Sequence, residues 1–137
     1  MNVVVIDGQG GGMGRALVER IVKEYPELAP VAVGTNAMAT AAMMKAGAKL
    51  GATGENAVCV CARDADVIMG PMGIAMPDAL MGEVTTRMAQ AVSQSRAVKI
   101  LLPARKCHVL IAGTGDVSVS DALDDAMRLL REALKGD

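Results

Sequence analysis

The sequence predicts a three-layer α/β domain built on a mostly parallel sheet of about five strands, and three observations lead there. Short apolar, β-rich runs alternate along the chain with stretches of helical period. The first run, "VVVI" at residues 3–6, lacks polar alternation, as a central strand buried on both faces requires. It hands over to a helical stretch through a turn, "DGQGGGMG", that holds five glycines. A length of 137 residues fits one domain, spanning residues 1–137.

The elements follow in order. After the turn, Leu17, Val18, Ile21, Val22 and Tyr25 share one helical face, Glu19 and Lys23 form a four-residue charge pair, and Pro26 ends the helix. "PVAVGT" is a second strand. Thr35 or Asn36 then caps a helix running to about Ala46, with Gly47 as its stop. "LGATGEN" reads as a glycine-bearing loop. "AVCVCARDA" alternates like a strand but is flanked like a helix; the crossover needed before the third strand, "DVIMG", favours helix. Residues 71–97 read as a loop, a short helical piece begun near Pro77, a break at Gly82, and a helix capped by Thr85 or Thr86. "VKILLP" is the fourth strand. Only "ARK" separates it from "CHVLIAG", too short for a parallel crossover, so these two are expected to form an antiparallel hairpin at the sheet edge. Ser118 or Ser120 caps a last amphipathic helix, with Leu123, Met127, Leu130 and Leu134 on one face.

Composition narrows the partners. Lys and Arg (14) nearly cancel Asp and Glu (15), which argues against nucleic acid or an anionic membrane. Tyr25 is the only aromatic residue, so there is no platform for base stacking. The core must draw on Val, Ile, Leu, Ala and eleven methionines. The chain starts on a strand-like run without a leader or a spanning segment, and its three cysteines fit a reducing compartment; a cytoplasmic setting is expected.

The glycine turn carries the chemistry. A strand feeding a helix through glycines permits close backbone approach and aims unpaired helix amides, with the helix dipole, at an anion. The spacing is not that of a P-loop, because Gly14 is followed by Arg15 and Ala16. Nor is it G-x-G-x-x-G, because Met13 stands where the third glycine would follow Gly8 and Gly10. The loops "DGQGGG", "GTN" and "GPMG" leave three predicted strands at one edge of a parallel sheet, where ligands bind. The candidate cofactor-binding residues are therefore Gly8, Gln9, Gly10, Gly11, Gly12, Met13, Gly14, Thr35, Asn36 and Gly70. The alternative for the turn is tight strand–helix packing alone. Asn36, Glu55, Asn56 and Asp78 can face the same crevice or serve as caps and loop residues. Asp7 either orients the turn by accepting backbone N–H bonds or acts as a metal-bound or catalytic carboxylate.

Other residues read as structural. Cys59 and Cys61 lack third and fourth ligands at metal-binding spacing, and Cys107 and His108 alternate across a strand, so no metal site is expected. Met69, Met72, Met76, Met81 and Met88 are core residues or a self-association surface, and a homo-oligomer is expected.

Gly8, Gly12 and Gly14 stand in the spacing of the short-chain dehydrogenase cofactor turn, T-G-x-x-x-G-x-G, and the run resembles it, with Asp7 in place of the threonine. That family's Tyr-x-x-x-Lys pair has no counterpart, since Ala29 stands four positions after Tyr25. Residues 65–102, "ADVIMGPMG…SRAVKILLP", are similar to the nucleotide-binding family of 2-phospho-lactate transferases and gluconeogenesis factors. The whole chain, from "VIDGQGGGMG" through "GTNAMAT", "GATGENA" and "GPMGI" to "KILLP", looks like a small bacterial family of unknown function with a Rossmann-like fold. The whole-chain resemblance implies the fold and a cytoplasmic setting but no activity; the glycine turn leads to a nucleotide or dinucleotide, NAD(P) or another, as its phosphate-containing ligand. Two other readings stay open: a non-catalytic interaction or regulatory module, and a transferase acting on a phosphorylated substrate with Asp7 or Glu55 as its acid/base group.

Overall fold

The computed structural model describes residues 1–103 and 109–136. Among them, five strands form one parallel sheet: β1 (Val3–Asp7), β2 (Val31–Gly34), β3 (Leu50–Thr53), β4 (Val67–Pro71) and β5 (Val98–Leu102). Their order is β3-β2-β1-β4-β5. The chain therefore runs outward from β1 to β3, returns to the centre, and runs outward again through β4 and β5. The order reverses between β1 and β4, and that reversal opens a crevice at the carboxyl ends of these strands.

Helices cover both faces. α1 (Gly12–Glu24), α2 (Ala37–Lys45) and α5 (Val119–Leu134) pack on one face; α3 (Glu55–Asp64) and α4 (Thr86–Gln94) pack on the other. The period of two along β1 sorts its side chains accordingly. Val3 and Val5 join Leu17, Ile21, Met43, Leu123 and Met127 in one core, while Val4 and Ile6 join Val58, Ile74, Met88 and Val92 in the other. Every residue of β1 is buried, which explains its unbroken apolar run.

The expected caps are in place. Asn36 accepts a hydrogen bond from the Ala39 amide at 2.8 Å, Thr85 from Met88 at 3.1 Å, and Ser118 from Asp121 at 3.0 Å. "AVCVCARDA" is helical through Asp64, within α3, and Ala65 is its extended C-terminal cap. Glu19 pairs with Arg15, 3.1 Å away and one turn earlier, where the sequence suggested Lys23.

Three expectations are corrected. Among the described residues the edge hairpin is absent: every strand pairing is parallel, and residues 109–113 form no strand. The apolar run "VLIA" has the composition of a strand, but Leu110 is 94% exposed and Ile111 is exposed as well, so no sheet face buries them. The fifth strand is instead β3, inside "LGATGEN". It is an edge strand with Leu50 68% exposed, so burial imposes no hydrophobic pattern on it. Residues 77–83 are turns rather than a helical piece begun at Pro77; the short helical segment lies earlier, as a 3₁₀ turn over Met72–Ala75. Cys107 and His108 lie outside the described residues.

Candidate functional site

A cleft of about 530 Å³ opens at the strand-order reversal, within the range usual for small-molecule sites. Its floor is the turn after β1: Asp7, Gly8, Gln9, Gly10, Gly11, Gly12 and Met13. Pro71 ends β4 across from the turn, and Pro103 follows β5. Leu80 and Met81 come from the loop ahead of α4, while Val117, Ser118, Val119 and Ala122 come from the start of α5. Most of this wall is apolar.

The turn is held from below and from the side. Asp7 is 5% exposed; its Oδ1 accepts the Gly8 amide and its Oδ2 the Gly14 amide, each at 2.7 Å. Burial raises the Asp7 pKa, the amide hydrogen bonds oppose the rise, and the nearby charge of Glu83 adds to it. Asp7 thus orients the turn, the first of the two roles open to it in the sequence. The Gly11 amide closes the turn onto the Gly8 carbonyl at 2.9 Å, with Gln9 left-handed at φ 49°. A non-glycine residue keeps that conformation only where its surroundings hold it. Here both ends of Gln9 are fixed: its amide donates to Glu83 Oε1 at 2.8 Å, and its carbonyl accepts from Asn36 Nδ2 at 3.0 Å.

The glycines divide into two groups. A methyl group at Gly14 would meet Met43 Sδ at 2.6 Å and Asp7 Cβ at 2.8 Å, and one at Gly11 would meet the Ala39 Cα at 2.8 Å. One at Gly8 would meet Thr35 Oγ1 at 2.5 Å and Leu80 Cδ1 at 2.8 Å. These three are accounted for by packing. Gly10 and Gly12 are not: a methyl group at either meets nothing within 4 Å. Among the described residues, no protein acceptor takes the Gly10 or Gly12 amide. Gly12 is the first residue of α1, so its amide is one of the unpaired donors at the positive end of the helix dipole.

The remaining sequence candidates lie elsewhere. Gly14 packs beneath the turn. Gly70 belongs to β4, where a methyl group would collide with the Ile6 carbonyl oxygen, and Pro71 takes its place in the lining. Thr35 and Asn36 are outside the lining and committed to Glu83: Thr35 Oγ1 donates to Oε1 at 2.7 Å and Asn36 Nδ2 at 2.8 Å. Glu55 accepts from Thr85 Oγ1 at 2.6 Å and lies 3.6 Å from Arg87, away from the cleft; Asn56 and Asp78 are also outside it. Cys59 and Cys61 are on α3, and among the described residues no three His, Cys, Asp or Glu side chains group as metal ligands. Met69 and Met88 are buried; Met81 is 94% exposed.

Sequence reading missed Glu83, the acceptor that ties three donors together. No local pattern marks it, because its partners are 74, 48 and 47 residues away. Burial alone would raise its pKa, but the bonds from Gln9, Thr35 and Asn36 outweigh that and lower it. A carboxyl whose folded-state pKa is depressed stabilises the fold fully above its unfolded value, 4.5, and loses that contribution as pH falls through the lower folded value. Glu83→Gln weakens three hydrogen bonds to a charged acceptor and, discounted for solvent screening at this partly exposed carboxyl, should cost about 0.5–1 kcal/mol at neutral pH. The difference from wild type should vanish in acid, as read from urea midpoints across pH. Asp7, shifted the other way, favours the fold at the acid end in both proteins; loss of the Glu83 charge removes part of that shift and offsets part of the cost at neutral pH.

Among the described residues, no helix is long and apolar enough to cross a membrane. One solved structure similar in fold is the dodecameric FMN-dependent UbiX-like decarboxylase of Escherichia coli O157:H7, with 15% identity, a TM-score of 0.47, and coverage of 96% of this chain and 76% of that one. No curated protein matches. Residues 2–135 match the family described as a domain of unknown function, DUF3842, and the chain belongs to that family.

Proposed function

We propose that this domain binds a phosphate-bearing small molecule of the nucleotide class, its phosphate lying on the turn formed by residues 8–13. One observation carries the reading. The two glycines of the turn that packing does not require, Gly10 and Gly12, are also the two whose amides have no acceptor among the described residues, and both line the cleft. Backbone amides at a helix N-terminus hold phosphate without needing a basic side chain. The transferase reading has less support, because both oxygens of Asp7 are occupied by amides and Glu55 lies outside the cleft. Exposed Met81 and Val119 beside the site supply apolar surface for self-association, which light scattering after size exclusion would read.

The test is a thermal-shift panel of inorganic phosphate, mononucleotides, NAD(H) and NADP(H). Ligand at one hundred times its Kd should add about 2.7 kcal/mol. In a domain of this size that raises the melting temperature by about 8 °C. A panel without a shift at millimolar concentration would end the proposal.

A further inference from the structure

The geometry points to a ligand of mononucleotide size, a phosphomonoester with a flat or apolar body, and to Glu83 as the residue that excludes a dinucleotide. This inference rests on the phosphate-binding reading above and narrows it.

In a sheet of this strand order, a dinucleotide straddles the reversal. One half crosses the end of β2, where a side chain reads its ribose, and the other half lies toward β4 and β5. Here the β2 side is filled. Glu83 Oε1 accepts from the Gln9 amide, Thr35 Oγ1 and Asn36 Nδ2 at 2.7–2.8 Å, consuming the polar groups that follow β2. Leu80 and Glu83 also crowd Gly8: a methyl group there would lie 2.8 Å from Leu80 Cδ1 and 3.0 Å from Glu83 Oε1. The way from the turn toward β2 is therefore blocked by side chains of the loop ahead of α4. A carboxylate at that point also repels the 2′-phosphate of NADP.

The cleft itself is one-sided. Its described lining comes from the β1 turn, the ends of β4 and β5, the loop ahead of α4 and the start of α5; no residue of β2, β3, α2 or α3 contributes. Beyond the amides, Pro71, Leu80, Val117, Val119 and Ala122 offer an apolar wall to the rest of the ligand. A phosphate at Gly10 and Gly12 with its body against that wall uses the whole cleft, and a second nucleotide has no room on the β2 side.

Isothermal titration of wild type and Glu83→Ala with AMP, GMP, UMP, flavin mononucleotide, NAD+ and NADP+ tests this. Wild type should bind at least one mononucleotide at least tenfold more tightly than either dinucleotide. In Glu83→Ala, that preference should shift toward dinucleotides by at least tenfold; Leu80→Ala, which clears the same path, serves if Glu83→Ala does not fold. Dinucleotides binding wild type as tightly as mononucleotides would overturn this inference and leave the phosphate-binding reading intact. An unchanged preference in both variants would overturn the role of Glu83. Failure of every compound to bind would remove both the inference and the reading beneath it.

Discussion

Gly12→Val is expected to remove ligand binding while leaving the fold in place. A Cβ at this position meets nothing within 4 Å, and the backbone is already helical, so the fold should accept the change. Helix propensity even favours valine slightly over glycine. The added branches project into the space where a phosphate would approach the Gly10 and Gly12 amides. Hydrogen bonds from neutral donors to a charged acceptor are worth about 1.5–3 kcal/mol each. Losing two should therefore weaken binding by about 3 kcal/mol or more, at least roughly a hundredfold. At a ligand concentration one hundred times the wild-type Kd, stabilisation should fall from about 2.7 to about 0.4 kcal/mol. Circular dichroism and the melting point without ligand should match wild type. A variant that still responds fully would show that the open space above Gly12 is not the phosphate site. Gly11→Val is the contrasting substitution. Its φ of 73° and its contact with the Ala39 backbone make it a folding defect, so its loss of binding would say nothing about the site.

The difference between Gly12 and Gly11 shows what a sequence can and cannot convey. "DGQGGGMG" announces a glycine turn, but its five glycines look alike on the page; only the positions of Met43, Ala39, Thr35 and Leu80 reveal which of them are bound by packing. Those neighbours come from α2, the segment after β2 and the loop ahead of α4, distant in sequence. Burial writes itself into sequence where it is complete. β1 is buried throughout and reads without ambiguity, and the single face of α5 shows through Leu123, Met127 and Leu130. Caps are legible because they are local: Asn36, Thr85 and Ser118 each bond an amide three residues on. β3 is illegible for the opposite reason, since an exposed edge strand answers to no hydrophobic pattern. The apolar residues Leu110 and Ile111 mislead because they are exposed and belong to no strand. Glu83 illustrates the deepest limit. Charged residues on loops are usually solvated, and only the folded chain shows that this one closes the end of β2.

Gly70→Ala is expected to produce the largest loss of stability of any single methyl group added near the cleft. β1 and β4 pair at Val3–Val67, Val4–Ile68 and Val5–Met69, and the pairing stops there, just before the crevice opens. At the next position, a Cβ on Gly70 would overlap the Ile6 carbonyl oxygen, with Ile74 Cδ1 3.0 Å away on another side. The obstacle is the backbone of a central strand, pinned on its far side by β2 through Ile6–Val33 and Asp7–Gly34. It cannot rotate away as a side chain can. Overpacking of this kind costs about 1–3 kcal/mol even where side chains yield, so about 3 kcal/mol is a fair expectation for alanine. Valine should exceed what a domain of typical stability, about 5–15 kcal/mol, tolerates while remaining soluble. With a urea dependence of about 2 kcal/mol per molar, alanine should lower the unfolding midpoint by about 1.5 M. Gly10→Ala, which meets open space, should move it by less than about 0.3 M. A Gly70→Ala midpoint equal to wild type would mean that β1 and β4 are not held this closely. The consequence reaches the site, because the gap between the β1 turn and Pro71 is set by the approach of these two strands. The surviving fraction of Gly70→Ala should therefore bind ligand more weakly than wild type, although the substituted atom does not touch the ligand.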